Sequence, residues 1–595
     1  MLQLRDQRWQ FVRDKLRDQL LDDLGAERRR ALHRHVAEAL ERERATRAVP
    51  MATLAHHWSE AGEPSKERPY AEQAGIEALE SGASREAVEY FTRVVELLEG
   101  EPPAAEIASS KPRGHAGRFD PNANIDPDSD AFQRGAIETK LCEAYFRLGD
   151  LEACRAHGTR ALALFGQRHP RSSLGWLAAM LQQIALRSAQ SLWPSRRRDV
   201  ERARRIAPEV VRAHSRLVEA SFYQLRLVPI VWSSLRVINH SEPAGPSPDL
   251  ARGYHAIGVL AALSHIGPLA DRWQGRAVQI AEQTGSPYDV AWLLSRISVA
   301  DLSLCKWDRS DSMIEQALQL ADDLGDLRLW EECRHVTATG AKYTARYDRA
   351  LTLYRDRHRS GRASGNRQTA SWDLIGQAEV LARIGSHEEA LRLTKEAAAL
   401  LDEEAFKSET IMVLGASALA SLGAGDRASA YQAADHALEL LGGNKPIAHW
   451  LLQPMGEIAE VALSSWEHAL AERQAPDVIR AGAARSQQAC AMLRRLARVI
   501  PIAAPSAVLW EGLRSWHAGR KRHAMRLWQR ALVLAESADT PYEGARAHFE
   551  IGRHLCAGDP ERARHLRVAH EAFSRLGCVT NAEAARAALE APKAP

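Results

Sequence analysis

Apolar side chains recur at helical spacing along most of the chain. Positions three or four residues apart lie on one face of an α-helix, whereas a strand alternates every second residue. The first examples are Leu16, Leu20, Leu24, Leu32, Val36 and Leu40. No strand-like alternation of any length interrupts this segment, so residues 1–100 are predicted to be helical.

The same pattern continues from Ala131 to the C-terminus. Helical runs of about 12–18 residues alternate there with short breaks marked by Gly, Pro or Asp. No β-hairpin or βαβ pattern is found among them. The sequence therefore predicts an all-α fold in which one helical hairpin follows another.

A set of small residues repeats at fixed offsets within this pattern. Reading five, nine and twelve residues beyond the loop position Gly385 gives Ala390, Thr394 and Ala397. The same reading from positions 265, 305, 345 and 425 gives comparable residues, so five frames share a period of 40 residues. Three further frames, out of phase with these, begin at Gly82, Gly149 and Gly519. A constant period of this size is the signature of a repeat solenoid.

These offsets have a packing explanation. A small residue early in the second helix of a hairpin lets the first helix cross closely, and positions four and seven residues later lie on the same face. The loop position must often accept a left-handed backbone, which glycine adopts without strain. The predicted repeat-packing residues are Gly82, Ala87, Phe91, Gly149, Cys154, Ala161, Ala270, Ala277, Ala317, Ala350, Gly385, Ala390, Ala397, Gly425, Ala430, Ala437, Gly519, Ala524, Trp528 and Ala531.

The repeat resembles the tetratricopeptide repeat. Leu141, Cys142 and Tyr145 in a first helix, followed by Cys154 and Ala161 in the second, fit that motif well. The family period is about 34 residues, so the 40-residue frames imply longer helices or wider loops. The resemblance implies a tetratricopeptide-like superhelix, in which stability is close to a sum of neighbour interfaces.

Proline-rich breaks divide the chain. Residues 101–130 hold five prolines and a single aromatic residue, so they are expected to form a flexible linker. A second break at 239–250 contains three prolines. We expect a helical segment with a first repeat at 1–100, then repeats at 131–240, 40-residue repeats at 241–470 and C-terminal repeats at 471–595.

Composition narrows the function classes. The 595 residues are 45% hydrophobic and 26% charged, and 79 basic residues nearly balance 76 acidic ones for a net charge of +3. Nucleic-acid binding, which usually shows as a strongly basic domain or stripe, is not expected. Basic runs at 196–198, 357–362 and 520–522 are interpreted as solvated helix ends or faces.

Cysteine usage and the N-terminus indicate a cytoplasmic protein. The seven cysteines never form a C-x-x-C pair, which argues against a zinc ribbon or a disulfide framework. The first twenty residues carry charges every few positions, where a signal peptide needs an apolar core. No apolar run is long enough to span a bilayer.

No catalytic, cofactor-binding or metal site is predicted. Asp126, Asp128 and Asp130 copy half of an EF-hand loop, but Ala131 replaces its glycine. His33 with His35, and His56 with His57, are interpreted as packing histidines because neighbours one or two residues apart point to different helix faces. The H-E-x-x-H and G-x-S-x-G patterns are both incomplete.

Several stretches resemble the C-terminal regions of bacterial signal-transducing ATPases of the STAND type. Phe11–Asp18 resembles the family's F-x-H-D-K-L-R-E segment, with Arg13 in place of the usual histidine, and Leu54–Gly62 resembles its step into the repeats. Residues 31–37, 234–258 and 324–333 resemble further family blocks. The resemblance implies a tetratricopeptide-like sensor that follows an ATPase. Because no Gly-Lys dipeptide occurs, the family's G-x-x-x-x-G-K-[ST] phosphate-binding loop lies outside this sequence, and the chain is expected to be truncated or split from it.

The sequence therefore favours a non-catalytic sensor or scaffold. A protein, peptide or small effector is expected in the concave groove, with occupancy relayed to an ATPase or output domain. Two alternatives stay open. The chain could be part of an ATPase, nucleotide cyclase or kinase whose catalytic domain lies elsewhere, or the inducer-sensing part of a transcription regulator.

Overall fold

The fold is almost entirely helical. The computed structural model describes residues 2–5, 8–11, 24–44, 47–81, 83–100, 126–148, 150–167, 170, 172–192, 200–223, 227–363, 367–401, 407–442 and 449–590. Gly82, Gly149 and most of the predicted linker, residues 101–125, lie outside these ranges. Within them the chain forms two compact units, Met1–Gly245 and Pro246–Pro595.

The first unit begins with two short antiparallel strands. Strand β1 (Leu2–Arg5) pairs with β2 (Arg8–Phe11). The prediction of helix is wrong here, because strands of four residues give too short an alternation to be recognised. The helices that follow are α1 (Ala26–Glu43), α2 (Met51–Ala61), α3 (Pro64–Glu80), α4 (Ser84–Gly100), α5 (Asp130–Leu148), α6 (Leu151–Leu164), α7 (Ser173–Leu192), α8 (Val200–Tyr223) and α9 (Leu227–Ser241).

The second unit is a stack of helical hairpins closed by a single helix. Its helices are α10 (Pro248–Leu263), α11 (Gly267–Thr284), α12 (Pro287–Ser303), α13 (Trp307–Leu324), α14 (Leu327–Tyr343), α15 (Tyr347–Ala363), α16 (Arg367–Ile384), α17 (His387–Ala398), α18 (Lys407–Gly423), α19 (Arg427–Leu441), α20 (Leu452–Ala471), α21 (Pro476–Ala497), α22 (Ala504–His517), α23 (Lys521–Ser537), α24 (Pro541–His554), α25 (Pro560–Arg575) and α26 (Val579–Glu590). Consecutive helices pack as antiparallel pairs, the first pair being α10 and α11 and the last α24 and α25. The final helix, α26, packs against α25. The predicted all-α, tetratricopeptide-like solenoid is confirmed.

Helix length accounts for the 40-residue period. The helices α12 to α15 are 17 or 18 residues long. Two such helices and their connecting turns fill 40 residues, so the extra length lies in the helices and not in the loops. The turns at His265, Cys305 and Ala345 have φ of 60°, 59° and 54°, and Gly385 and Gly425 have φ of 97° and 85°. The frame positions are thus left-handed turns whether or not glycine occupies them.

Small residues fill the space between the helices of each hairpin. Ala350, Ala390 and Ala430 are fully buried. At Gly376 on α16, an added Cβ would lie 2.6 Å from the ring of Tyr354 on α15, so a larger residue would push these helices apart. None of the described helices is both long and apolar enough to cross a membrane.

Candidate binding cavity inside the second unit

The first helices of several hairpins converge on a cavity in the second unit. It has a volume of about 270 Å³ and a mixed polar and apolar lining. Its walls come from α16, the start of α17, α18, α20, α22, α24 and α26. The polar side chains among the lining residues are Arg383, His387, Glu460, Ser464, Glu467, Tyr542, Arg546, Arg553, Thr580 and Asn581.

The cavity forms because the solenoid curves until distant hairpins touch. Trp307 Nε1 donates a hydrogen bond to the carbonyl oxygen of Ala538, 231 residues away, at 3.0 Å. His387 Nε2 lies 3.1 Å from Thr580 Oγ1, and His265 Nε2 lies 3.2 Å from the carbonyl oxygen of Arg498. These contacts bring turns of earlier hairpins against later ones. The inner helices between them form the walls of the cavity.

Arg383 is the central cation of the cavity wall. Its Nη1 donates to Glu460 Oε2 at 2.9 Å and to the hydroxyl of Tyr542 at 2.5 Å. The guanidinium carbon lies 4.4 Å from the centre of the Tyr542 ring, which is cation–π distance. Because Arg383 is buried, these partners offset the cost of removing its charge from water. One side chain thereby joins α16, α20 and α24.

A second charged group extends the wall along α24. Arg553 binds Glu467 of α20 with two hydrogen bonds, Nη1 to Oε1 at 2.6 Å and Nη2 to Oε2 at 3.2 Å. Its Nε donates to Glu550 Oε2 at 2.7 Å. Arg546 forms an ion pair with Glu460 at 3.4 Å. Two-point binding of a guanidinium fixes its orientation as well as its position.

Ionisable groups are also buried behind the cavity. Lys342 on α14 and Glu379 on α16 form an ion pair from which water is excluded. Burial, reinforced by the charge of Glu379, raises the pKa of Glu457 to about 8. Burial also raises the pKa of Glu543 to about 7. Carboxyl groups in such surroundings are costly to keep in a core, so their concentration here makes this region a candidate site.

This arrangement suits recognition of a small polar group. Guanidinium donors and carboxylate acceptors are held at fixed positions by buried neighbours, which is how protein pockets orient a ligand. Within the described residues, the buried Nε of Arg383 has no hydrogen-bond acceptor.

The residues predicted from the repeat pattern lie elsewhere, between paired helices. Most of them are fully buried: Ala87, Phe91, Cys154, Ala161, Ala277, Ala317, Ala350, Ala390, Ala397, Ala430, Ala437, Ala524, Trp528 and Ala531. Ala270 is nearly so, and Gly385, Gly425 and Gly519 occupy left-handed turns. None of this set lines the cavity. Those of the second unit, such as Ala390 and Ala524, pack the helices that form its walls against their neighbours.

None of the cavity residues is predicted from the sequence pattern. The signal that could have found them is charge at helical spacing within apolar helices, as in Glu379 and Arg383 or in Arg546, Glu550 and Arg553. Charged residues at helical spacing are normally interpreted as a solvent-exposed helix face. Only the packing of the helices shows that this face points into the superhelix.

The interpretation of one basic run needs correction. Arg357, assigned to a solvated basic run, is buried and donates from Nε to Asp373 Oδ1 at 2.6 Å. The run at 520–522 is exposed as expected, and residues 196–198 lie outside the described ranges. His33, His56 and His57, interpreted as helix-face or core histidines, meet in one cluster. The rings come from two different helices, and sequence spacing within one helix does not report such a contact.

Comparison with known proteins yields only distant structural likenesses. No protein-family model and no curated protein matches the chain. The crystal structure of a Rap protein complexed with competence and sporulation factor aligns at 12% identity and a TM-score of 0.42, over 68% of this chain and 99% of that one. The Cut9-Hcn1 hetero-tetramer of the APC/C aligns at 12% identity and 0.37, over 97% and 95%. A STAND protein with a tetratricopeptide repeat sensor from Pyrococcus horikoshii aligns at 10% identity and 0.35, over 78% and 72%. At these values the likeness extends no further than helical-repeat architecture.

Proposed function

We propose that the chain is a non-catalytic binding module whose second unit holds a peptide segment or a small effector in the inner cavity. The observation that carries this proposal is the convergence of Arg383, Arg546 and Arg553 with Glu460 and Glu467 around one partly open cavity. A solenoid can be held together by apolar contacts between neighbours alone. Charged groups placed inside it, at a cost in stability, favour recognition.

Cavity size defines the kind of ligand. A volume of about 270 Å³ lies near the lower end of ligand pockets, which span roughly 300–1,000 Å³. It accommodates a small effector or one side chain of a peptide. A whole folded domain is too large for it, so a protein partner would have to insert an extended segment or a single residue.

The cavity also suggests how occupancy is relayed. Arg383 joins three hairpins, so a ligand that competes for its partners would change how those hairpins pack. Packed interfaces shift between discrete arrangements, which gives rigid-body movement of the stack. We propose that this movement signals to an ATPase or output domain in the cytoplasm. The STAND-like segments at 11–18 and 54–62 support this part.

A variant that blocks the cavity provides the test. Ala584 lines the cavity from α26 and is exposed, so Ala584→Trp should fill the opening without disturbing the core. Ligands are first selected on the wild-type chain from a random peptide library and from a metabolite mixture. We expect them to bind the Ala584→Trp variant at least about tenfold more weakly than the wild-type chain. Glu583→Trp, on the same exposed helix but outside the lining, is the matched control and should bind as wild type.

Two results would contradict the proposal. One is selected ligands that bind the Ala584→Trp variant as tightly as the wild-type chain. The other is ATP hydrolysis or cyclic-nucleotide synthesis by the purified chain, which would favour the alternative that it belongs to a catalytic subunit.

A further inference from the structure

Three histidines meet where α1 crosses α2. His33 lies on α1, and His56 and His57 lie on α2. The Nδ1 atoms of His33 and His57 are 3.0 Å apart. The centre of the His33 ring lies 5.8 Å from that of the His56 ring and 5.1 Å from that of the His57 ring. One ligand nitrogen from each of the three lies within 4.8 Å of the others.

Packing of the two helices brings these rings together. Ala37 of α1 is buried against Trp58 and Ala61 of α2. His33 lies one turn before Ala37, and His57 directly precedes Trp58. Adjacent residues on a helix are separated by about 100°, but the rings of both His56 and His57 extend towards α1 and lie beside the His33 ring.

We propose that His33, His56 and His57 bind a divalent transition metal ion, with Zn²⁺ the best match. Imidazole nitrogen is a preferred Zn²⁺ ligand at about 2.0–2.1 Å, and three histidines with one open position are an established arrangement. In a tetrahedral site with such bonds, two ligand nitrogens lie about 3.3–3.4 Å apart. The 3.0 Å between His33 and His57 is close to this value. Small rotations of the exposed His56 ring would complete the triangle.

Two charged side chains act electrostatically on the cluster. Glu60, one helical turn beyond His56, would offset part of the positive charge of a bound ion. Arg29 is a cation that acts against the site.

Metal binding would attach α1 to the rest of its unit. The helix is weakly held, because Leu32 and Val36 on it are 47% and 40% exposed while Ala37 is its one buried residue among those described. An ion shared between α1 and α2 adds bonds that the unfolded segment cannot make, so it stabilises the docked helix.

The first test is titration of the untagged, metal-stripped full chain with Zn²⁺ by calorimetry, and with Co²⁺ by visible absorption. We expect one tight site and the intense absorption bands of tetrahedral Co²⁺. Loss of a residue that only hydrogen-bonds to a metal ligand lowers metal affinity about 10–100-fold. His57→Ala and His33→Gln each remove a direct ligand, so they should weaken Zn²⁺ binding by at least that factor. These side chains are partly exposed, so the variants should fold.

The matched controls are two other histidines. His35, on the same helix, lies 2.8 Å from the carbonyl oxygen of Ala31 and outside the cluster, so His35→Ala should bind as wild type. His548 and His565 form a separate pair with Nδ1 atoms 2.7 Å apart, so His548→Ala should also have no effect on the tight site. The proposal is overturned if His57→Ala and His33→Gln bind Zn²⁺ as tightly as the wild-type chain.

Hydrogen exchange gives a readout that affinity alone does not. Zn²⁺ should slow amide exchange in residues 26–43 of the wild-type chain and leave it unchanged in His33→Gln. If the amide exchange rates of this helix in the wild-type chain are the same with and without Zn²⁺, the ion does not attach α1 to α2, and this part of the proposal is overturned.

Discussion

Replacing Trp528 with alanine should lower the local stability of the hairpins around α23 by about 3–5 kcal/mol, as large-to-small changes of buried aromatic residues do. Trp528 is fully buried. Its Nε1 donates to the carbonyl oxygen of Leu509 at 3.2 Å, and its ring stacks on His554 at 5.0 Å. An added Cβ at Gly512 would lie 2.5 Å from Nε1, so the indole occupies the whole space between α22 and α23.

The measurement is native-state hydrogen exchange in α22 to α25. Local opening is the appropriate quantity, because a solenoid need not unfold in one step. Val533 on the same helix is 66% exposed, so Val533→Ala should change the free energy of opening by no more than about 0.5 kcal/mol. A loss below 1 kcal/mol for Trp528→Ala would show that this tryptophan does not anchor the hairpin.

Replacing Lys342 with methionine should lower the local stability of α14 to α17 by about 3–5 kcal/mol, the usual cost of removing one partner of a buried pair. Lys342 is nearly inaccessible and Glu379 fully so. Burial raises the pKa of Glu379, and Lys342 is the first group that opposes this. Without Lys342 the carboxyl group would take up a proton more readily. The penalty should therefore shrink as the pH falls and protonates Glu379.

The double variant Lys342→Met/Glu379→Met separates charge from packing. Replacing both members of a buried pair by apolar residues is often neutral or stabilising, so this variant should regain most of the stability that Lys342→Met loses. Hydrogen exchange at two pH values measures both effects. A double variant as unstable as the single one would mean that shape, and not an unpaired charge, sets the cost.

The architecture could be predicted from sequence because it depends on local patterns. Ala390 and Ala430 recur at a fixed distance from their turns, and each such pattern reports only on a helix and its neighbour. The turns at His265 and Cys305 were found from their place in the frame, although neither is glycine. The strands at 2–11 were missed because segments of four residues give too short a pattern.

The candidate sites could not be predicted because they depend on contacts between distant parts of the chain. Arg383 and Tyr542 are 159 residues apart and meet only because the superhelix curves. Whether it curves so far depends on small rotations between successive hairpins, which no single repeat encodes. His33 and His57 meet for a similar reason, since the crossing of two helices decides which of their faces come together.

A double-mutant cycle between Arg383 and Tyr542 tests the convergence of distant hairpins most directly. The variants are Arg383→Met, Tyr542→Phe and the pair together, with opening of α16 and α24 followed by hydrogen exchange. Tyr542→Phe removes the hydroxyl that accepts the 2.5 Å hydrogen bond and keeps the ring. Residues in contact show interaction energies of about 0.5–3 kcal/mol, whereas separated residues are additive within about 0.3–0.5 kcal/mol. An interaction energy of 1 kcal/mol or more is the result expected from a closed cavity wall. Additive effects of the two substitutions would contradict it.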